Sequence, residues 1–250
     1  MKNFLQQVIK QKKFELASGF YIYKRKRIKA KESFKSALKK PTRTLIAEIK
    51  KTSPACGILI KSDEKIKALL KIYNRYADAV SVVVDKKFFN GGLDLLRQVS
   101  QGTCLPVLAK DFIIDEKQII ALKNAGASSV LLILRILSFK KFAKLYKFCK
   151  KLKIDAVCEV SNQAEILWAK KLGADIFGIN NRNLKTLQVD RTTAERLLHF
   201  IPEPAVIIAE SGFKSSKQVK SKRIQAILVG TNLIKAKNLQ KAILRFKFKV

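Results

Sequence analysis

The stretch LPVLAKDF, residues 105–112, decides the fold, because a short apolar run ends there in charged side chains. Four further runs end in the same way: LIAEIKKTSP from residue 45, DAVCEV from 155, DIFGINNRN from 175 and AVIIAESG from 205. Near-continuous apolar runs with β-branched residues are typical of parallel strands covered on both faces. A charged group at the end of such a strand is costly to bury unless it is paired. Its recurrence predicts an active site at one rim of a barrel.

Eight such strands follow one another along the chain, with helical patterns between them. The predicted strands are 45–51, 79–85, 106–112, 129–134, 155–160, 176–182, 206–211 and 226–231, and the clearest predicted helices are 64–76, 115–125, 139–152, 162–172 and 192–200. Strand starts lie roughly 20 to 34 residues apart, which is the length of a βα unit. This order predicts an α/β fold, a (β/α)8 TIM barrel. The alternative, a doubly wound open sheet, lacks a glycine-rich phosphate fingerprint after the first strand.

Residues 1–250 are expected to form a single barrel domain, with residues 1–44 as an N-terminal helical extension. The positions with helical spacing are Phe4, Leu5, Val8 and Ile9 in a first helix, and Phe34, Ala37 and Leu38 in a second. We expect this extension to cap the barrel or to lie beside its mouth. Only twenty residues follow Gly230, so no second catalytic domain is expected after the barrel.

The charge is strongly positive, with 52 basic against 19 acidic residues and a formal net charge of +33. Such a balance favours polyanionic partners. The basic residues are spread over predicted helices, however, and are not interleaved with aromatic residues as in RNA-binding segments. We therefore expect solvated helix faces that attract an anionic substrate, and no specific nucleic-acid partner.

The spacing of the cysteines and the hydropathy of the chain argue against several other classes of protein. The four cysteines lack the CxxC spacing and have no histidine nearby, so neither a metal site nor a disulfide framework is expected. No apolar run approaches the roughly 18 residues of a membrane span. These features predict a cytoplasmic protein with no membrane partner, expected to be a monomer or at most a weak homodimer.

The polar residues at the strand ends share faces. Because side chains in a strand alternate with period 2, the pairs that point the same way are Glu48 with Lys50, Lys110 with Phe112, and Asn180 with Arg182. Glu159 and Glu210 each end an apolar run. Lysines among carboxylates can carry out acid–base chemistry without a metal or histidine. A set of ordinary ion pairs at the rim is the structural alternative.

Small residues follow the last two strands, at Ser211 and Gly212 and at Gly230 and Thr231. Such turns let backbone N–H groups approach an anion, and phosphate sites are common at this place in the fold. Ordinary tight βα turns explain the same residues equally well. The segment FFNGG, residues 88–92, could provide either an aromatic wall beside a substrate or plugs for the core.

Several segments closely resemble indole-3-glycerol phosphate synthase, a family of ring-closing enzymes. They are IAEIKKTSPACG from residue 46, FFNGG from 88, LPVLAKDFIIDEKQI from 105, GINNRNLKTLQVD from 178 and IAESG from 208. The resemblance spans nearly the whole chain. It implies the condensation of 1-(2-carboxyphenylamino)-1-deoxyribulose 5-phosphate to indole-3-glycerol phosphate, with release of carbon dioxide and water and without a cofactor.

The resemblance also implies catalytic roles. Lys110 would be the acid that protonates the substrate's carbonyl, and Glu159 the base of a later step. Glu48 and Lys50 would form a coupled pair, with Lys50 reaching the substrate's carboxylate or phosphate. Asn180 would position the ring nitrogen or a hydroxyl, and Glu210 the ribulose-derived hydroxyls. Whether Lys50 or Lys110 acts as the acid in the dehydration stays open.

The binding residues follow from the same resemblance. Ser53 and Arg182 would bind or support the carboxylate, Phe89, Phe112 and Leu184 would form the apolar walls, and Ser211 would contact the substrate beside the phosphate grip of Gly212, Gly230 and Thr231. The chain departs from the family pattern at Ala55-Cys56, at Arg135 and in the turn VGTNLI. Two other functions remain as alternatives: another phosphate-binding barrel enzyme of the same pathway, such as phosphoribosylanthranilate isomerase, and a basic nucleic-acid-binding protein on a barrel scaffold.

Overall fold

Eight parallel strands form the centre of the molecule, which was obtained as a computed structural model describing residues 4–22, 31–182 and 188–247. The strands are β1 (Thr44–Ile49), β2 (Ala79–Val83), β3 (Val107–Lys110), β4 (Ser129–Ile133), β5 (Asp155–Val160), β6 (Ile176–Asn180), β7 (Val206–Glu210) and β8 (Ala226–Val229). They pair in sequence order, and β1 pairs with both β2 and β8, so the sheet closes into a barrel. The predicted (β/α)8 barrel is confirmed.

Helices follow the strands as the periodicity predicts. They are α1 (Phe4–Ala17), α2 (Phe34–Leu38), α3 (Asp63–Tyr76), α4 (Lys86–Phe89), α5 (Leu93–Gln101), α6 (Glu116–Asn124), α7 (Phe139–Lys151), α8 (Gln163–Lys171), α9 (Thr192–Leu197), α10 (Thr231–Ile234) and α11 (Leu239–Leu244). Side-chain caps fix several of their starts, for example Ser62, Ser138 and Asn162, because each accepts an N–H that would otherwise lack a partner. In the part of the chain that the structure describes, no helix is long and apolar enough to cross a membrane.

The connection between β7 and β8 differs from the prediction that helical patterns fill every gap. It contains only the 3₁₀ helix Ser216–Gln218. The guanidinium of Arg43 donates to the backbone carbonyls of Ser216, Val219, Ser221 and Ile224 at 3.0–3.3 Å. The carbonyls of Ser216 and Ser221 also accept the backbone N–H groups of Val219 and Ile224, so this connection forms 3₁₀-type turns anchored by Arg43 rather than an α-helix.

Several strands also end one or two residues earlier than predicted. Lys50, Phe112, Arg182, Ser211 and Thr231 therefore stand just beyond their strands rather than inside them. Apolar patterning cannot mark this boundary, because the alternation of residue types along a run does not show where the interstrand hydrogen bonds stop.

The two helices of the N-terminal extension lie at opposite ends of the barrel. Phe34 and Leu38 of α2 pack with barrel residues such as Ile176 and Val206. Ser33, Lys35 and Lys40 bond to three aspartates at or just before the strand starts, Asp155, Asp175 and Asp78, at 2.6–2.9 Å. The helix α2 thus closes the amino end, whereas Phe4 at the start of α1 reaches the other end.

We predict that Phe34→Ala lowers the free energy of unfolding by about 3–5 kcal/mol, because Phe34 is fully buried where α2 closes the amino end of the barrel and its truncation leaves a cavity there. Phe14→Ala is the matched control, since Phe14 is exposed on α1, and it should change stability by less than about 0.5 kcal/mol. Urea unfolding followed by circular dichroism measures both. Equal effects in the two variants would contradict a closing role for α2.

Candidate active site

A cavity of about 430 Å³ opens at the carboxyl ends of the strands. Its walls come from the loops and strand ends of the whole rim. Of the residues that the sequence singled out, those lining it are Glu48, Lys50, Ser53, Phe89, Lys110, Phe112, Glu159, Asn180, Arg182, Ser211, Gly212, Gly230 and Thr231. The three predicted pairs, Glu48 with Lys50, Lys110 with Phe112 and Asn180 with Arg182, all reach the cavity, which confirms the assignment of their faces.

Two lysines and two carboxylates form an ion-pair chain across the floor of the cavity. The Lys110 ammonium lies 2.6 Å from Glu210 Oε2 and 3.5 Å from Glu48 Oε2. The Lys50 ammonium lies 2.6 Å from Glu48 Oε1. Both lysine side chains remain about one-seventh exposed, at 14% and 15%, whereas the Glu210 side chain is 1% exposed. The ammonium groups therefore face the cavity, and Glu210 lies behind Lys110.

Two glycines make room for these carboxylates. A Cβ on Gly178 in β6 would lie 2.8 Å from Glu210 Oε1, and a Cβ on Gly230 after β8 would collide with Glu48 Oε1. Any larger residue at either position would push a carboxylate away from its lysine. Gly230 was predicted only as a phosphate-binding residue, and Gly178 was not predicted at all.

The ionisation of this cluster is shifted by burial and by neighbouring charges. Burial and the Glu210 carboxylate raise the pKa of Glu159 to about 8, although Lys110, Asn180 and Arg135 act in the opposite direction. Burial alone would lower the pKa of Lys110, but the carboxylates of Glu210, Glu48 and Glu159 raise it above the ordinary lysine value. The site thus combines a lysine that keeps its proton with a glutamate that exchanges its proton near neutral pH.

Asn180 is held in one orientation by its neighbours. Its Oδ1 accepts hydrogen bonds from the backbone N–H of Arg182 at 3.0 Å and from the Ser211 hydroxyl at 2.9 Å. Its side chain also hydrogen-bonds to Glu159. Because Oδ1 is occupied, the amide nitrogen is the group of Asn180 that remains for Glu159 and for a ligand.

Aromatic rings form one wall of the cavity. The ring of Phe112 lies 6.4 Å from that of Phe89 on α4 and 6.3 Å from that of Phe4 on α1, and Phe4 also packs edge-on against Phe88 at 5.1 Å. Both phenylalanines of the FFNGG segment are half-buried and pack against the barrel interior, and Phe89 lines the cavity whereas Phe88 supports Phe4. Phe4 was predicted only as a helix residue, because helical spacing does not reveal which end of the barrel a helix reaches.

The turns after the neighbouring strands β7 and β8 line the side of the cavity away from the aromatic wall. Ser211 and Gly212 both have positive φ, at 70° and 87°, in a turn that also brings Lys214 to the cavity. Gly230 and Thr231 begin α10. Lys214 was not singled out from the sequence, and Asn232 entered only as part of the turn VGTNLI without a role of its own. Leu184 lies outside the described residues.

The family model "Indole-3-glycerol phosphate synthase" matches residues 3–246. The chain belongs to the indole-3-glycerol phosphate synthase family. The members of this family are carbon–carbon lyases of tryptophan biosynthesis.

Individual relatives agree with this membership. "Indole-3-glycerol phosphate synthase" of Streptococcus sanguinis is 38% identical over 251 residues, which cover 98% of each chain. The protein of the same name from Listeria monocytogenes is 38% identical over 239 residues, or 93% of each chain. "Tryptophan biosynthesis protein TrpCF" of Helicobacter pylori is 41% identical over 214 residues, or 85% of this chain and 47% of the relative. The chain thus spans about half the length of the TrpCF relatives it matches.

We predict that the Glu159 carboxyl titrates near pH 8 in the free protein, because burial and Glu210 both disfavour its charged form. In Lys110→Met the same carboxyl should titrate at a still higher pH, since the ammonium that favours its ionisation is gone. Carbon-13 NMR of labelled glutamate measures both values, with Glu159→Gln to assign the signal. Titration in the ordinary glutamate range would contradict the interpretation of the cluster.

Proposed function

We propose that this chain catalyses the ring closure of 1-(2-carboxyphenylamino)-1-deoxyribulose 5-phosphate to indole-3-glycerol phosphate. The observation that carries the proposal is the pair of groups on the cavity floor: Lys110, kept protonated by two carboxylates, beside Glu159, whose pKa is raised to about 8. Family membership identifies the reaction that needs such an acid and base beside an aromatic slot.

In the first step, the aromatic carbon that bears the carboxylate attacks the substrate's carbonyl carbon. Lys110 donates a proton to the carbonyl oxygen, which its raised pKa permits because the amine is fully protonated at neutral pH. The bond to the carboxylate then breaks, and its electron pair restores the aromatic ring as carbon dioxide leaves. Glu48 and Glu210 keep the ammonium at the floor of the cavity.

The second step removes the new hydroxyl as water. A lysine ammonium delivers a second proton to this oxygen, and Glu159 takes one proton from the forming five-membered ring. Two protons are consumed and one is released, and the net proton neutralises the negative charge that the carboxylate leaves on the product when it departs as neutral carbon dioxide. Lys50, paired with Glu48 at the same floor, provides the second ammonium group there. All steps are redox-neutral, so no cofactor is required.

Binding groups surround this floor. Phe89 and Phe112 would hold the anthranilate ring, and Ser53 and Arg182 would contact its carboxylate, since all four line the cavity. Asn180 offers its amide nitrogen to the ring nitrogen or to a hydroxyl. Such positioning can supply roughly 7–11 kcal/mol of the barrier.

The remaining contacts concern the ribulose phosphate. The turns at Ser211 and Gly212 and at Gly230 and Thr231 would receive the phosphate on the opposite side of the cavity. Glu210, because it lies behind Lys110, would act on the substrate hydroxyls mainly through that lysine.

We propose further that the enzyme works in the cytoplasm as a monomer. Cys56 and Cys104 are exposed free thiols, which suits a reducing compartment. A net charge of +33 opposes self-association through mutual repulsion. The same charge attracts an anionic substrate without any specific nucleic-acid site.

We predict that Lys110→Ala and Glu159→Gln each lower kcat by about 10²–10⁴-fold, the contribution of one placed acid or base. The formation of indole fluorescence from the carboxyphenylamino-deoxyribulose phosphate measures the rate. Lys61→Ala and Glu64→Gln, at exposed positions of the same residue types, are the controls and should retain wild-type activity. Most of the activity surviving in Lys110→Ala would rule out its role as the acid.

We predict that kcat/KM rises with pH up to about 8 and then levels off, because Glu159 acts as a base only after losing its proton. The rate should fall again only above the ordinary lysine range, where Lys110 finally deprotonates. Arg135→Met should move the rising limb to higher pH, since the Arg135 charge lowers the pKa of Glu159, whereas Arg75→Met at an exposed position should not. A rate that is already maximal at pH 6 would exclude Glu159 as the base.

A further inference from the structure

Lys12 is a fully buried lysine in the N-terminal extension. Its ammonium lies 2.7 Å from Asp111 Oδ1, 2.8 Å from Asp85 Oδ2 and 2.9 Å from Glu15 Oε2, and the side chain is 0% exposed. Asp85 and Asp111 follow the neighbouring strands β2 and β3 at the mouth of the barrel. One cation of α1 thus joins two adjacent rim segments.

A second contact joins the same partners. The hydroxyl of Tyr21, in the segment after α1, donates to Asp111 Oδ2 at 2.6 Å and accepts from the Lys12 ammonium at 3.1 Å. Charged groups are rarely buried without such saturation, because each desolvated ion costs several kcal/mol unless its partners are well placed. Removing the cation would leave three buried carboxylates, Asp85, Asp111 and Glu15, without their shared counter-ion.

The two aspartates also bond to the backbone of the aromatic wall. Asp85 Oδ1 accepts the Phe88 N–H at 2.7 Å, and Asp111 Oδ1 accepts the Phe112 N–H at 2.8 Å. Asp85 and Asp111, which bind Lys12, therefore also fix the start of α4 and the backbone position of Phe112. Any shift of Asp85 or Asp111 moves the wall with it.

The helix α1 itself contributes to that wall. Phe4, Val8 and Lys12 are spaced by four residues and so lie on one face of the helix. Lys12 enters the charge cluster, Val8 packs with the barrel interior, and Phe4 reaches the cavity beside Phe112. Because α1 is one continuous helix, the position at which Lys12 is fixed also determines the position of Phe4.

We propose that Lys12 is a positioning residue, whose buried ion pairs hold Phe4, Phe89 and Phe112 as the slot for the substrate's aromatic ring. The proposal rests on the function proposed above. Lys110 is held independently, by Glu210 of β7 and Glu48 of β1. Lys12 therefore governs binding of the ring, and the proton-transfer groups keep their places without it.

The test is a comparison of steady-state constants in Lys12→Met, which removes the charge and keeps the chain length. KM should rise about tenfold while kcat stays within about threefold, the pattern of lost binding that is equal in ground and transition state. Lys13→Met is the matched control on the same helix, because Lys13 is exposed, and it should leave both constants unchanged. A fall in kcat at unchanged KM would overturn the proposal.

A double-mutant cycle ties the effect to the slot. Phe4→Ala should raise KM by a similar factor, and Lys12→Met combined with Phe4→Ala should be no worse than the larger single effect, because both act through one wall. Additive effects would show that Lys12 does not act through Phe4. If Lys12→Met does not fold, Tyr21→Phe replaces it, and an unchanged KM in that variant would overturn the proposal.

Amide hydrogen exchange separates this proposal from the proposed function. Residues 86–89 and 111–114 should exchange faster in Lys12→Met than in wild type and Lys13→Met, whether or not the substrate is converted. Wild-type protein without turnover, but with this change in exchange, would refute the function and keep the positioning role. Unchanged exchange in these segments would refute the positioning role, even in an active enzyme.

Discussion

The ammonium of Lys110, held between the carboxylates of Glu210 and Glu48, is the interaction on which the mouth of the barrel depends. These groups come from β3, β7 and β1, no two of which pair in the sheet, and closure of the barrel brings their ends to one mouth. Each ion costs several kcal/mol to desolvate, so none would be stable at the end of an apolar strand without the others. Closure of the sheet therefore allows the charged strand ends to be buried together. Burial of the apolar interior beneath them supplies the free energy that offsets the desolvation of these charges.

The sequence predicts the composition of this floor but not its pairing. Alternation of side chains along a strand correctly placed Glu48 with Lys50, Lys110 with Phe112, and Asn180 with Arg182 on cavity faces, because that rule is local. Lys110 and Glu210 are separated by 100 residues, and their contact depends on strand tilt and register around the closed barrel. The need for Gly178 and Gly230 could not be predicted either, since it arises only once the carboxylates take their places beside these two backbone positions.

The N-terminal extension shows the same limit more sharply. The run KQKK at residues 10–13 has the pattern of a solvated helix face, and two of its lysines are exposed. Lys12 differs from Lys13 only in its direction from the helix axis, yet one is fully buried and the other faces water. Helical periodicity identifies a face, but two of the three carboxylates that bind Lys12, Asp85 and Asp111, belong to segments more than seventy residues further along the chain. Charge patterning alone therefore assigns such a lysine to the surface.

The two lysine clusters differ in solvent exposure, and this difference distinguishes lysines that can act on a substrate from a lysine that only holds the structure. Lys110 and Lys50 keep 15% and 14% of their side-chain surface exposed to the cavity, where a substrate can replace a water molecule at the ammonium. Lys12 has no such surface, and Asp111, Asp85, Glu15 and Tyr21 surround its ammonium. A group that exchanges protons with a ligand must have one open hydrogen-bonding direction, whereas a group that fixes the position of others is most effective with none. By this criterion Lys12 cannot act on the substrate directly, and its influence on the reaction must pass along α1 to Phe4 and through the backbone at Phe88 and Phe112.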